Sequence, residues 1–470
     1  MTPMTRSKAA LRLALAAGIS LLAAACAVGP RYSSPAPRPV ALINADSVTA
    51  STPPVEAVWW RNFQDPVLDG LVSRALTGNL DLKAAGDRVR SARALFADAR
   101  LDRYPRITSD ASYARSDEQA VGFTKNPVNI ESADIGFDAA WEIDLFGRVR
   151  HGVEAAAADA EAAAADARDA QVTVAAEVVR NYFELRGAQA RQAVAEANAQ
   201  SQRETLRLTQ IQVDVGRGDP VDVQSARARL AATEATIPVL ITQQAQASYR
   251  LAVLAGERPG SLDAELRTPT ALPPMVKPLP VGDVTDFLRR RPDVQAAEHR
   301  LAAQTARVGV ATADLFPRVK VTGFIGLLSG DVSSLFTSAG KAWSVSPAVS
   351  WPALDLGGAR ARLRAQQAQG DASLAAYDQT VLRAIEDLES ALVAYRQQQS
   401  QIARLTDQVD ASRRAADLAR VRYQEGDIDF LRVLEADRTR LEAEDALTVA
   451  ETAADTDVVA VYKALGGGWG

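Results

Sequence analysis

In the stretch ADIGFDAAWEIDLFG (133–147) the odd positions are Ala133, Ile135, Phe137, Ala139, Trp141, Ile143 and Leu145, all apolar. The even positions are Asp134, Gly136, Asp138, Ala140, Glu142 and Asp144, and four of those six are acids. A period of two predicts a strand with one apolar and one polar face. Similar alternation recurs in Val319, Val321, Ile325 and Leu327 against Lys320 and Thr322. It recurs again in Trp343, Val345, Pro347, Val349 and Trp351 against Ser344, Ser346, Ala348 and Ser350. The pattern predicts strands at about 105–116, 132–146, 317–328 and 342–355, in two pairs joined by polar loops longer than a tight turn.

Elsewhere the period is helical. Val172, Ala175, Val179 and Tyr182 form one stripe, and Leu382, Ile385, Leu388, Leu392 and Tyr395 form another. Spacings of three and four mark a packed seam. No proline falls between Val149 and Val213. Sixty-five helical residues at 1.5 Å each reach on the order of 100 Å, too long for a compact domain. Shorter helices precede the strand pairs, at roughly 66–103 and 283–315.

The chain is written twice. NLDLKAAGDRVRSARALFADARLDRYPRI from Asn79 aligns without gaps on RPDVQAAEHRLAAQTARVGVATADLFPRV from Arg291. IDLFGR (143–148) echoes LDLGGA (354–359), and VGRGDPVDVQSA (215–226) echoes EGDIDFLRVLEA (425–436). A near-constant offset of about 210 residues marks a tandem duplication. Each copy runs helix, two strands, long helix, glycine-marked break, long helix. The expected division is 66–256 for the first repeat, 257–282 for a proline-rich linker, 283–466 for the second repeat and 467–470 for a flexible end.

Residues 1–25 read as an export signal: Arg6, Lys8 and Arg12 precede the short apolar run LALAAGISLLAAA. Cys26 follows at once and is the only cysteine. Two readings fit it. LLAAAC is a lipobox whose cysteine carries lipid, or Ala23 and Ala25 form an ordinary cleavage site. Where a lipobox usually has leucine, this chain has Ala23. Residues 26–65 then form an anchored, proline-containing N-terminal segment.

Composition removes several function classes. A net charge of −5 is not that of a nucleic-acid binder. Aromatics are 6% of the chain, which suits close-packed long helices better than a large globular core. Past the signal no apolar run is long enough for a membrane helix. His151 and His299 lie in different repeats, so with one cysteine no zinc constellation forms. Phosphate-loop and nucleophile-elbow motifs are missing, and the acids single out no general-acid pair. An enzyme, a metal site and a cofactor are not expected.

Four amphipathic strands cannot close a barrel, and an open edge in lipid leaves backbone groups unsatisfied at several kcal/mol each. Membrane strands therefore require several chains to share one barrel. Two copies give 8 strands, three give 12 and four give 16. Asp134, Asp138 and Glu142 would face the pore lumen, while Trp141, Trp343 and Trp351 would face lipid or the membrane interface. Asp144 falls at the strand–helix junction, where a structural role also fits. The competing setting is a pair of soluble hairpins packed on helices.

The chain resembles the outer-membrane factors, the TolC-like channels of tripartite efflux pumps, in their lipoprotein branch. The resemblance covers nearly all of the mature chain. It rests on CAVGPRY (26–32), WWRNFQDPVLDGLV (59–72), WEIDLFGRVR (141–150), LRRRPDVQAAEHRLAAQTARVGVATADLFPR (288–318) and LDLGG (354–358). It implies a homotrimer with a 12-stranded outer-membrane barrel, continued by a helical barrel in the periplasm. It implies a periplasmic adaptor and an inner-membrane transporter, usually of the resistance–nodulation–division type, as partners. The expected function is a passive duct for small toxic compounds. A protein-secretion duct and a non-conducting coiled-coil lipoprotein are the alternatives.

By the same resemblance the breaks at Gly216, Gly218 and Asp219, and at Gly426, become hairpin tips at the periplasmic entrance. The family's Y-x-x-G-…-D-V-L-D-A pattern reads here as Tyr423, Gly426, Arg432, Val433, Leu434, Glu435 and Ala436. Glu435 keeps the second carboxylate and Arg432 replaces the first. Three Glu435 side chains around an axis could bind cations, or Arg432 could pair with a neighbouring acid and hold the entrance shut. The alternative is that Asp427, Asp429 and Glu435 are solvated turn residues, with Asp429 capping the helix.

Overall fold

A computed structural model describes residues 27–35, 42–44, 57–118, 128–270 and 284–469. The signal segment, Cys26, much of the 26–65 segment and the second part of the linker, 271–282, lie outside the described residues. A 3₁₀ turn at Trp59–Phe63 precedes helices α1 (Pro66–Gly78) and α2 (Leu80–Leu101). Strands β1 (Arg106–Glu118) and β2 (Val128–Ile143) follow, then α3 (Arg148–Asp214) and α4 (Pro220–Leu254). The second repeat runs α5 (Val284–Arg290), α6 (Pro292–Ala313), β3 (Arg318–Ser329), β4 (Lys341–Ser350), α7 (Leu356–Glu425) and α8 (Phe430–Ala464). Single helical turns stand at Asp263–Leu266 and Val332–Leu335.

The short helices expected at 66–103 and 283–315 are each broken once. Asn79 adopts an extended ψ of 128°. Its carboxamide oxygen accepts from the N–H groups of Asp81 and Leu82 and so starts α2 as a cap. In the second repeat Arg291 precedes Pro292, whose ring disfavours a helical residue before it. Hydrophobic periodicity passes through both breaks, which is why the pattern alone runs the helices together.

The four strands form one antiparallel sheet in the order β1-β2-β3-β4. β2 stops at Ile143 rather than near 146. The Asp144 carboxylate accepts from the backbone N–H of Val149 and Arg150 at 3.2 and 2.8 Å, so it caps α3. β4 stops at Ser350, ahead of Pro352, and does not reach 355.

The chain divides into two compact units. The first holds Met1–Ala36, Arg88–Ala164 and Ala296–Asp378, and so contains the whole sheet. Its helices meet the N-terminal strap at 27–35. Val28 donates its N–H to the Phe146 carbonyl at 3.0 Å, and Phe146 stacks on Phe316 with centroids 4.8 Å apart. Gly29, at φ +114°, lies so close to Gly309 that a Cβ would sit 2.8 Å from its Cα.

The second unit holds Pro37–Asp87, Ala165–Gln295 and Gln379–Gly470. Trp59 is fully buried and stacks on Tyr462, with ring centroids 4.7 Å apart. Phe63 meets Phe183 edge-on at 4.8 Å. The end of the chain, expected to be flexible, is packed in this core. Gly466, Gly467 and Gly468 are buried, and the Arg168 guanidinium lies 5.2 Å over the Trp469 ring. Glycines without side chains fit where a bulkier tail could not. The first part of the expected linker is also ordered. Gln189 and Arg186 donate to the carbonyls of Leu266 and Thr268, both at 2.8 Å.

Candidate functional site

Residues opposite one another in an antiparallel ladder share a face, so the register assigns every strand residue to one side. One transverse row reads Ser109, Phe137, Ile325, Trp343. Rows at Ile107, Ala139, Gly323, Val345 and at Trp141, Val321, Pro347 lie on the same side. Trp343 is 78% exposed there, an aromatic surface with no ring partner among the described residues. Trp141 donates its indole N–H to the Arg103 carbonyl at 3.1 Å, and Trp351 donates to Leu315 at 3.0 Å. Both tryptophans thus mark the ends of strands with an apolar ring and a satisfied polar edge, the habit of residues at a membrane–water boundary.

The opposite face is polar. Its rows are Ser112, Asp134, Leu328; then Asp110, Gly136, Gly326, Ala342; then Thr108, Asp138, Phe324, Ser344. The three acids expected on this face differ in their surroundings. Asp134 accepts a short hydrogen bond from Ser112. Asp138 is exposed, with no side-chain partner among the described residues. Glu142 is held by Arg148, whose Nε and Nη2 donate at 2.6 and 2.8 Å. Its charge is therefore matched by a cation that the strand pattern alone does not bring near.

In the second unit the two glycine-marked breaks are the same turn built twice. Gly216 has φ +74° and Gly426 has φ +82°. Gly216 N–H donates to Val213 and Arg217 N–H to Gln212; Gly426 N–H donates to Tyr423 and Asp427 N–H to Arg422. These pairs of bonds make Schellman closures, which need a left-handed residue at the helix end. Gly218 serves another need: its φ is not positive, and a Cβ there would meet Val213 at 3.0 Å. Asp219 then caps α4 through the Val221 N–H, and Asp429 caps α8 through the Arg432 N–H. The expected cap at Asp429 is present.

Around the second turn, Phe430, Val433 and Leu434 are buried with Ala226 and Ala419, and Tyr423 packs against this cluster. The Tyr423 and Phe430 rings are 5.3 Å apart. Glu435 is exposed and lies 3.5 Å from Arg438 on its own helix. Arg432 is exposed and makes no ion pair within the chain among the described residues.

Two groups in this region escape a reading of motifs. The first is Asp222, in the first turn of α4. Its carboxyl is pushed up by burial and then by Asp219 and Asp429, while burial and then Asp222 push the Tyr423 hydroxyl up. Asp222 thus lies within electrostatic reach of Asp219, Asp429 and the Tyr423 hydroxyl. The second is Asp437, buried on α8, which accepts from Arg420 at 2.7 Å. Arg420 also donates to Ser201 of α3, and Arg440 to Asn198. Burial raises the Asp437 carboxyl, opposed by Arg420 and Arg440. Charged residues at helical spacing look solvated in sequence, and only packing reveals that this one is inside.

A family model described as outer membrane efflux protein matches residues 71–257 and 284–467, one match per repeat. The chain belongs to this family. It is an outer-membrane channel of an efflux system, built on an α+β fold of two tandem repeats. Outer membrane protein OprJ of Pseudomonas aeruginosa is 30% identical over 454 residues, 96% of this chain and 95% of that one. The solvent efflux pump outer membrane protein SrpC of Pseudomonas putida is 32% identical over 412 residues, 87% of this chain and 86% of the other. A structure of the outer-membrane channel OprN, at 47% identity, superposes with a TM-score of 0.91 and covers 94% of this chain and 100% of that chain. The family is one of channels, and its relatives are components of efflux pumps.

Proposed function

We propose that three copies of this outer membrane efflux protein close their sheets into one 12-stranded barrel, with the face of Asp134 and Asp138 lining the lumen. The observation that carries this reading is the open four-stranded sheet with two chemically opposite faces. Its edges β1 and β4 have unpaired backbone groups that lipid cannot satisfy. Eight strands would fill with side chains, whereas more strands leave room for an aqueous channel. Trp343, Phe137 and Ile325 then meet lipid.

The hairpin turns at Gly216 and Gly426 serve as the periplasmic entrance, where a periplasmic adaptor docks and delivers cargo from an inner-membrane transporter of the resistance–nodulation–division type. The cargo class is small toxic compounds, in keeping with relatives named for solvent and antibiotic efflux. Tyr423, Asp219, Asp429, Arg432 and Glu435 line that entrance. Cys26 carries a lipid anchor. Support comes from the strap, whose Val28 N–H bonds to the Phe146 carbonyl just past the end of β2.

Reconstitution in planar bilayers tests the duct. The double variant Asp134→Asn, Asp138→Asn is expected to conduct with a reduced sodium-to-chloride permeability ratio. An unchanged ratio would remove these acids from the lumen. Native mass measurement of the solubilised assembly reads the copy number, and intact mass of the mature chain reads the acylation of Cys26.

A further inference from the structure

Phe324 breaks the chemistry of the polar face. Its register partners are Asp138 on β2 and Ser344 on β4, so its ring emerges among polar side chains. The next row holds Gly136 opposite Gly326. A Cβ on Gly136 would lie 2.6 and 2.7 Å from ring carbons of Phe324, and one on Gly326 would lie 2.9 Å from its Cζ. The ring therefore leans across two positions without side chains and lies along the sheet instead of standing away from it. Asp110 is the β1 partner of Gly136, so carboxylates occupy the row the ring leans over and the row it springs from.

Neither Asp110 nor Asp138 has an ion-pair or side-chain hydrogen-bond partner among the described residues. The cations on this face lie nearer the helices. Arg106 is held by Asp98 and Asp102, and Lys320 pairs in register with Glu142. A flat aromatic surface between unneutralised carboxylates suits one chemistry: a cation with apolar bulk, which stacks on the ring while its charge meets the acids.

We propose that Phe324, Asp138 and Asp110 form a station for hydrophobic organic cations on the channel wall. The proposal rests on the reading that this face lines the lumen. Such a station is weak by construction, because a duct must release what it binds. Small metal cations gain nothing from the ring, and apolar anions are repelled by the acids.

Single-channel block by tetraphenylphosphonium tests it, with the full chain in planar bilayers. Wild type is expected to be blocked by tetraphenylphosphonium and not by the isosteric tetraphenylborate anion. Phe324→Leu is expected to raise the half-blocking concentration roughly fivefold to tenfold while leaving the sodium-to-chloride permeability ratio in place. Asp138→Asn is expected to weaken both block and cation preference. Block of Phe324→Leu at the wild-type concentration overturns the station. If Phe324→Leu fails to insert, Phe324→Trp supplies the reading: its larger ring face lowers the half-blocking concentration, and an equal or higher value overturns the proposal. Asp138→Asn with unaltered ion preference would instead strike at the lumen assignment, so the two failures are distinguishable.

Discussion

The Arg291 guanidinium donates to the main-chain carbonyl of Ala464 at 2.9 Å, and 212 positions earlier Asn79 donates to Leu254 at the same distance. Both contacts tie the start of a strand-bearing helix to the end of its repeat's last helix. The repeats keep the joint and change its chemistry. Arg291 adds bonds to Asp293 and Asp387 that Asn79 lacks.

Removing this arginine takes its donor from Asp293, Asp387 and the carbonyls of Ala464 and, at 3.4 Å, Ala384. Arg291→Ala is expected to cost roughly 2–4 kcal/mol: the guanidinium is buried, but Asp293 and Asp387, 29% and 56% exposed, turn to water and soften the loss typical of a fully buried pair. Asn79→Ala is expected to cost about 1–3 kcal/mol. Thermal melting of the solubilised protein, with both variants compared at one pH, checks the order.

The buried pair near the hairpin turns gives a second prediction. Arg420→Ala leaves the Asp437 carboxylate, whose side chain is 5% exposed, with only Arg440 at 3.8 Å, and is expected to destabilise by roughly 2–4 kcal/mol. Arg420→Met with Asp437→Leu is expected to recover most of that. A double variant as unstable as the single would show that packing, and not the unpaired charge, sets the cost.

Asp455 predicts a pH dependence. Burial first, and then Glu451 one turn away, push its carboxyl up from 3.8 to about 7. The folded chain therefore holds a proton that the unfolded chain has lost between about pH 4 and 7. Stability falls as pH rises through that window and flattens above it. Asp455→Asn is expected to melt higher than wild type at pH 8, by an amount on the order of 2–4 kcal/mol. The gap should close as pH drops toward 4. A gap of constant size at both pH values would contradict the assignment.

The turn glycines are not equivalent, and alanine should expose the difference. Gly426→Ala forces a left-handed residue and is expected to cost about 1–2 kcal/mol, with Gly426→Asn costing less. Gly218→Ala strains no φ but drives a Cβ against Val213, so asparagine should bring no relief there. Melting of the four variants separates backbone strain from crowding.

The sequence by itself determined the duplication, the number and faces of the strands, the long helices and the two glycine turns. These follow from local or periodic patterns: a period of two, spacings of three and four, and residues that tolerate a left-handed turn. It did not determine what depends on partners distant in the chain. Asn79 and Arg291, at the two helix breaks, reach back to the carbonyls of Leu254 and Ala464, contacts that no local pattern announces, and the hydrophobic period runs past them unbroken. The terminal glycines read as a loose end because nothing local reveals that Gly468 lies against Trp59 and Val172 and Gly466 against Arg291. Glu142 shares an alternation with Asp134 and Asp138, yet Arg148 singles it out. Phe324 sits on the polar side of its strand against its own hydrophobicity. Only the pairing of Gly136 with Gly326 supplies the flat place where its ring lies.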